Sequence, residues 1–147
     1  MDNSSQNVVA IKKILSANDT GKTGGHQGGM LIPKTVLSFF PDLGNGVKNP
    51  RYKLRFRDEE GNVWTFNFIY YNNKFFSEKG KRNEYRLTGM TRFIKENNLQ
   101  PNDSIILERN SSMELCIKYE RSQVQESDNS ECMSILKLGS SWKVVNL

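Results

Sequence analysis

The 147-residue chain has the length of one ordinary domain, enough to bury a single apolar core. Its 21 Lys and Arg against 16 Asp and Glu leave a formal charge of +5, which favours a polyanionic partner without requiring one. One His and two Cys cannot complete a tetrahedral zinc site, and no apolar run approaches the roughly 18 residues of a membrane span.

Met1-Asp2-Asn3-Ser4-Ser5 lacks the charged-then-apolar pattern of a signal peptide, so the expectation is a cytoplasmic protein with reduced thiols at Cys116 and Cys132, and no membrane partner. Residues 1–7 hold too few apolar side chains to repay ordering and are expected to be a disordered tail, with residues 8–147 forming one domain. Residues 8–15 are β-branched and read as a strand. A polar loop follows, in which Gly21, Gly24, Gly25 and Gly28 surround Lys22, Thr23, His26 and Gln27. Residues 30–32 resume extended structure. Pro33 suits the first position of a short helix whose apolar face is Val36, Leu37, Phe39 and Phe40, and Pro41 ends it.

Residues 51–57 alternate basic with apolar, residues 58–62 turn the chain, and residues 63–71 return as a partner strand, a clear hairpin. Residues 72–83 are polar apart from Phe75 and Phe76, and project as a second arm before a strand at 85–87. Met90, Phe93, Ile94 and Leu99 have helical spacing, with Thr88 or Gly89 as cap. Strand-like runs occupy 104–108, 113–119, 133–138 and 142–145, with a mobile polar loop at 122–130. The absence of βαβ alternation and of internal repeats predicts a mainly β, mostly antiparallel barrel or sandwich with two short α-helices.

The chemical motifs narrow the function. Gly21-Lys22-Thr23 is not a phosphate loop, because the glycine required five residues earlier is Ser16 and the following glycines cannot open a helix. His26 has no accompanying serine or cysteine signature. A Mg²⁺ nuclease needs clustered carboxylates and a lysine; Pro41-Asp42 is present, yet no Asp or Glu is followed two positions later by Lys, so Pro41-Asp42 reads as a helix stop and no catalytic or metal-binding residue is assigned. The glycine loop lets backbone approach another molecule closely, with Lys22, Thr23, His26 and Gln27 as donors for phosphates or base edges. The second arm offers Lys79, Lys81, Arg82, Asn83, Glu84 and Arg86. Arg or Lys can pair with guanine, Asn with adenine, and Glu with the cytosine amino group; a surface that bound only phosphate would gain nothing from a glutamate.

Asn18-Asp19-Thr20-Gly21, Thr23-Gly24-Gly25-His26-Gln27, Ile32-Pro33-Lys34 and Arg82-Asn83-Glu84-Tyr85-Arg86-Leu87-Thr88 resemble the N-terminal effector domain of EcoRII-type restriction endonucleases, over about residues 8–109. The resemblance implies a DNA-binding pseudobarrel, akin to the B-three domain of plant transcription factors, that grips the major groove of double-stranded DNA with two arms. These arms fall here at about 16–28 and 73–86. It implies first-arm contacts from Asp19, Lys22, Thr23, His26, Gln27 and Lys34, second-arm contacts from Lys79, Lys81, Arg82, Asn83, Glu84 and Arg86, and recognition of CC(A/T)GG. It further implies no cofactor for this chain, a prokaryotic source, and a separate C-terminal nuclease domain that carries the Mg²⁺. Two other readings stay open: a stand-alone transcriptional regulator with the same barrel, and a nuclease whose motif differs from those sought.

Overall fold

The computed structural model describes residues 9–21, 29–44, 46–122 and 142–145. Its strands are β1 (Ala10–Ile14), β2 (Met30–Ile32), β3 (Arg51–Arg57), β4 (Val63–Tyr71), β5 (Glu84–Thr88), β6 (Ser104–Arg109), β7 (Leu115–Glu120) and β8 (Trp142–Val144). They form one sheet in the order β2-β5-β4-β3-β7-β6-β1-β8. Among the described residues every pairing is antiparallel except that of β3 with β7, which meet in parallel at Arg57 and Cys116.

A 3₁₀ helix over Lys34–Phe39 leaves β2 at one sheet edge and packs against β8 and β1 at the other, so the sheet curls into a nearly closed, barrel-like whole. This segment was expected to be α-helical with Pro33 as its first residue. Pro33 is instead the extended N-cap (ψ 162°), and the bonds run from Val36 N–H to the Pro33 carbonyl (3.2 Å) and from Phe40 N–H to the Leu37 carbonyl (3.0 Å). The tighter coil eclipses residues three apart, which puts Val36 and Phe39 together into the core. Pro41 follows before a longer helix can form.

The second helix, α1 (Thr91–Glu96), is α-helical and buries Phe93 and Ile94, but its N-cap is Met90 rather than Thr88 or Gly89. Thr88 is the last residue of β5, and Gly89 (φ 93°) turns the chain from strand to helix. Strand β7 begins two residues later than the expected 113, because the Asn110 carboxamide accepts from the Ser112 and Glu114 N–H groups (2.9 Å each) and Met113 takes φ 67°. The expected strand at 133–138 lies outside the described residues, as do the tail at 1–7, most of the loop at 122–130, and Cys132. Cys116 is a free, partly buried thiol whose pKa burial raises. No helix among the described residues is long and apolar enough to cross a membrane.

Alternation along the hairpin sends Leu54, Phe56, Phe66 and Phe68 inward, where they meet Ile11, Leu87, Ile105, Leu107 and Ile117. Trp64 packs edge-on to Phe93 (5.0 Å) and donates its indole N–H to Asp58 (2.9 Å), so one side chain ties α1 to the hairpin turn. A ladder of rings then runs through the core: Phe40 stacks on Phe68 (4.5 Å), Phe68 on Tyr85 (5.5 Å), and Tyr85 on Tyr70 (4.2 Å). Its far end lies at the root of the second projecting segment.

Candidate nucleic-acid interface

Two segments leave the barrel, between β1 and β2 and between β4 and β5, and each is anchored by polar groups at its root. The first leaves β1 at Leu15, whose carbonyl accepts from Asn102 N–H (2.9 Å) and whose N–H donates to the Asp103 carbonyl (2.8 Å). Ser16 and Asp19 then bond reciprocally: Ser16 N–H donates to the Asp19 carboxylate (2.9 Å), and Asp19 N–H to Ser16 Oγ (3.1 Å). The same carboxylate pairs with Lys13 Nζ at 2.8 Å, with both side chains largely buried. Asp19 thus holds the root of the arm, oriented toward the barrel. Lys22, Thr23, His26 and Gln27 lie outside the described residues. Lys34 is exposed in the first turn of the 3₁₀ helix.

The first arm rejoins the barrel at Gly29, which has φ 94°. A Cβ there would stand 2.6 Å from Thr88 Cγ2 and 2.9 Å from the Leu87 carbonyl, so only glycine allows the chain to lie this close to β5. The Gly29 carbonyl accepts from an Arg86 guanidinium N–H (2.9 Å). Arg86 therefore reaches from β5 to the end of the first arm.

The second arm starts at Asn72, which is fully buried. Its side-chain amide donates to the Val47 carbonyl (2.9 Å), its side-chain oxygen accepts from Asn49 N–H (2.7 Å), and its backbone N–H donates to the Asn49 side chain (3.1 Å). A 3₁₀ turn over Asn73–Phe75 follows. The arm is closed by Arg82, whose N–H donates to the Asn73 side chain (2.8 Å) and whose carbonyl accepts from Lys74 N–H (3.1 Å). Gly80 lies against this clasp: a Cβ on it would sit 2.1 Å from the Asn73 carbonyl oxygen. Gly80→Ala must therefore displace backbone at the arm's neck while leaving the core untouched. We expect it to weaken binding of the arm's ligand at least tenfold and to shift Tm by no more than a few degrees, measured by titration and thermal melting of the same sample.

The second-arm residues converge. Glu84 accepts from Arg82 (2.9 Å) and from Arg86 (2.5 Å), and these two guanidinium groups, Arg86 first, hold its carboxyl below the ordinary value of 4.5. Arg82 also stacks on the Tyr71 ring, 3.9 Å from its centroid. Asn83 accepts a hydrogen bond from Tyr70 OH (2.7 Å), the last ring of the core ladder, which turns its carbonyl toward the barrel and leaves its amide NH₂ as an outward donor. Lys79 and Lys81 are exposed. The chain of contacts from the Gly29 carbonyl through Arg86 and Glu84 to Arg82 and Tyr71 spans both arm roots on one outer face.

Sequence reasoning passed over Tyr70, Tyr71, Asn72 and Asn49. A Tyr-Tyr-Asn-Asn run at the end of a strand is the signal that was available: aromatic platforms followed by side chains that satisfy loop backbone. Asp42, set aside as a catalytic residue, accepts from Gly44 N–H (2.8 Å) in a turn. Among the described residues no three His, Cys, Asp or Glu side chains are grouped so as to hold a metal ion.

Residues 4–129 match the model of the N-terminal domain of restriction endonuclease EcoRII. The chain belongs to this family. The match takes in both arms and most of the barrel. Among curated proteins, the chain is 30% identical over 123 residues to auxin response factor 17 of Arabidopsis thaliana, covering 82% of the chain and 19% of that protein. It is also 30% identical over 118 residues to auxin response factor 19 of Oryza sativa subsp. japonica, covering 79% of the chain and 9% of that protein. The chain thus spans less than a fifth of these relatives. Among solved structures, an Arabidopsis FUS3–DNA complex superposes with a TM-score of 0.57 at 23% identity, covering 76% of this chain and 96% of that one. The B3 domain of UbaLAI restriction endonuclease with cognate DNA gives 0.49 at 21% identity, over 91% of this chain and 79% of that one. The barrel of this chain has the fold of the protein in that FUS3–DNA complex.

Proposed function

We propose that this chain is the DNA-recognition domain of a type II restriction endonuclease, gripping the major groove of double-stranded DNA with two arms and reading CC(A/T)GG. The observation that carries the reading is the linkage of the two arm roots through Arg86, which bonds the Gly29 carbonyl on one side and Glu84 on the other. A phosphate-binding patch has no use for a carboxylate locked between two arginines, whereas a base-reading surface needs donors and acceptors held at fixed positions. Family membership supports it, as does a protein of the same fold in complex with DNA. Arg82 and Arg86 are the guanine readers, Glu84 the cytosine reader, and Asn83 a donor to a base or phosphate. Lys22, Lys34, Lys79 and Lys81 serve phosphates, and His26 donates from the first arm. Cleavage, with its Mg²⁺, belongs to a separate C-terminal nuclease domain.

Competition titration tests the reading directly. Specific protein–DNA complexes are commonly tighter than nonspecific ones by about 4–10 kcal/mol. A CC(A/T)GG duplex should therefore displace labelled cognate DNA at concentrations at least a hundredfold below a scrambled duplex of equal length. Equal competition by the two duplexes at moderate salt overturns sequence recognition. Incubation with Mg²⁺ should leave the duplex intact, and a cut product that disappears in Asp42→Ala would overturn the non-catalytic assignment.

A further inference from the structure

Strand β3 carries Arg51, Lys53, Arg55 and Arg57 at alternate positions, and all four are exposed while the intervening Leu54 and Phe56 are buried. Alternation places the four cations on the outer face of the barrel, about 6.7 Å apart and about 20 Å from first to last. Their cross-strand partners on β4 are Ile69, Asn67, Thr65 and Val63, none of them acidic. Among the described residues none of the four has an ion-pair partner. Like charges in a row along one strand repel, and a sheet ordinarily relieves this with a carboxylate opposite. Arg57 shares a surface hollow with Asp58, Glu59, Glu108 and Glu114, whereas Arg51, Lys53 and Arg55 face no carboxylate across β4, and these three cations in register call for an external polyanion.

The stripe is continuous with the interface described above. Arg51 is registered opposite Ile69, and Ile69 opposite Arg86, so Arg51 stands on the same outer face as Arg86 and two strand spacings away, about 10 Å. We propose that the outer face of β3 is a phosphate-binding rail for duplex DNA outside the recognised base pairs. B-DNA carries one charge per about 3.4 Å of axis on each strand, so a 20 Å rail matches about six base pairs of backbone. The inference rests on the DNA-recognition reading for the identity of the polyanion. Its energy is electrostatic and blind to sequence, which separates it from the work of the arms.

The experiment is a salt titration of the purified chain against the variant R51Q/K53Q/R55Q/R57Q, with cognate and scrambled duplexes of about 12 and 24 base pairs. Glutamine keeps most of each side-chain stem on an exposed position, and circular dichroism checks the fold. A comparison variant, K12Q/K95Q/K143Q, neutralises three cations away from β3. Each lost phosphate contact lowers the slope of log K against log salt by about 0.9. The rail variant should lose about three units of slope on the 24-mer, weaken binding to it at least tenfold, and keep the cognate-to-scrambled ratio on the 12-mer. The comparison variant should lose less than one unit. If lengthening the duplex strengthens the wild type and not the rail variant, the rail holds the flank of the same duplex. If length has no effect but the wild type binds a second duplex that the variant does not, the rail holds that second duplex. An unchanged slope in the rail variant, or an equal loss in the comparison variant, overturns the rail alone. A rail variant that loses slope as expected, beside a wild type that cannot tell cognate from scrambled DNA, overturns the recognition reading and leaves the rail standing. A wild type that binds no duplex overturns both.

Discussion

Phe68→Ala should destabilise the barrel by about 3–5 kcal/mol, the range for removing a fully buried phenylalanine ring and leaving a cavity. Phe68 is fully buried and stacks between Phe40 at 4.5 Å and Tyr85 at 5.5 Å, so neither neighbour can collapse into the space without abandoning the other. The loss is that of a large share of the 5–15 kcal/mol by which a domain of this size is ordinarily stable. Urea unfolding should show a lower midpoint with an unchanged slope, the sign of reduced stability rather than an altered denatured state. The consequence extends past the core: Tyr85 carries Tyr70, and Tyr70 holds Asn83. At temperatures where Phe68→Ala is still folded, hydrogen exchange at Asn83 and Glu84 should be faster than in the wild type. A loss below 1 kcal/mol would mean that the ring ladder is not the element joining arm to core.

The hairpin was legible because two physical signals coincide in it, the basic–apolar alternation of residues 51–57 beside the aromatic-rich run 63–71, and the polar Asp58-Glu59-Glu60-Gly61-Asn62 turn between them. The position of the second arm was legible for a similar reason: residues 72–83 are too polar to be core and are bounded by apolar strands. The kind of the first helix was not. A six-residue segment between Pro33 and Pro41 meets the same apolar pattern as one turn and a half of α-helix, and only the hydrogen-bond spacing separates the two. Closure of the sheet was illegible too, since contact of the 3₁₀ helix with β8 joins residues more than a hundred positions apart and leaves no periodic trace.

Within the site, the residue types were readable and their division of labour was not. Arg82, Glu84 and Arg86 stand two apart, so strand alternation already puts them on one face, yet nothing in that spacing says that both arginines turn to the one carboxylate. Asp19 has the composition of a base-edge acceptor, but its partner Lys13 lies on the preceding strand, and the pair closes the root of the arm. The β3 cations were visible as alternation and were read only as evidence for a strand. The absence of carboxylates opposite them on β4 depends on the strand register, which the sequence does not contain.

Glu84→Ala should change affinity for two kinds of DNA in opposite directions. In the free protein the Glu84 carboxylate engages Arg82 and Arg86 together, so the arm's strongest cations are partly neutralised and held in place. Removing it frees both guanidinium groups to seek phosphates, which should raise affinity for scrambled duplex severalfold and steepen its salt dependence by about one to two units. Cognate duplex should instead bind about ten- to a hundredfold more weakly, because a base reader contributes about 1–3 kcal/mol of discrimination and its neighbours lose their fixed geometry. The cognate-to-scrambled ratio therefore falls by more than either affinity changes. Acidity offers the complementary check. Hydrogen bonds from Arg86 and then Arg82 lower the Glu84 pKa from its ordinary 4.5, so the contribution of the charged form is complete above that value and fades only as pH drops through the lower one. The Glu84 contribution, read as the wild-type ratio divided by that of Glu84→Ala, should accordingly stay level from pH 7 to pH 5, which sets aside the titration of His26 common to both proteins. If Glu84→Ala weakens cognate and scrambled duplexes by the same factor, the carboxylate does no reading, the second arm is an electrostatic clamp, and sequence discrimination must come from the first arm.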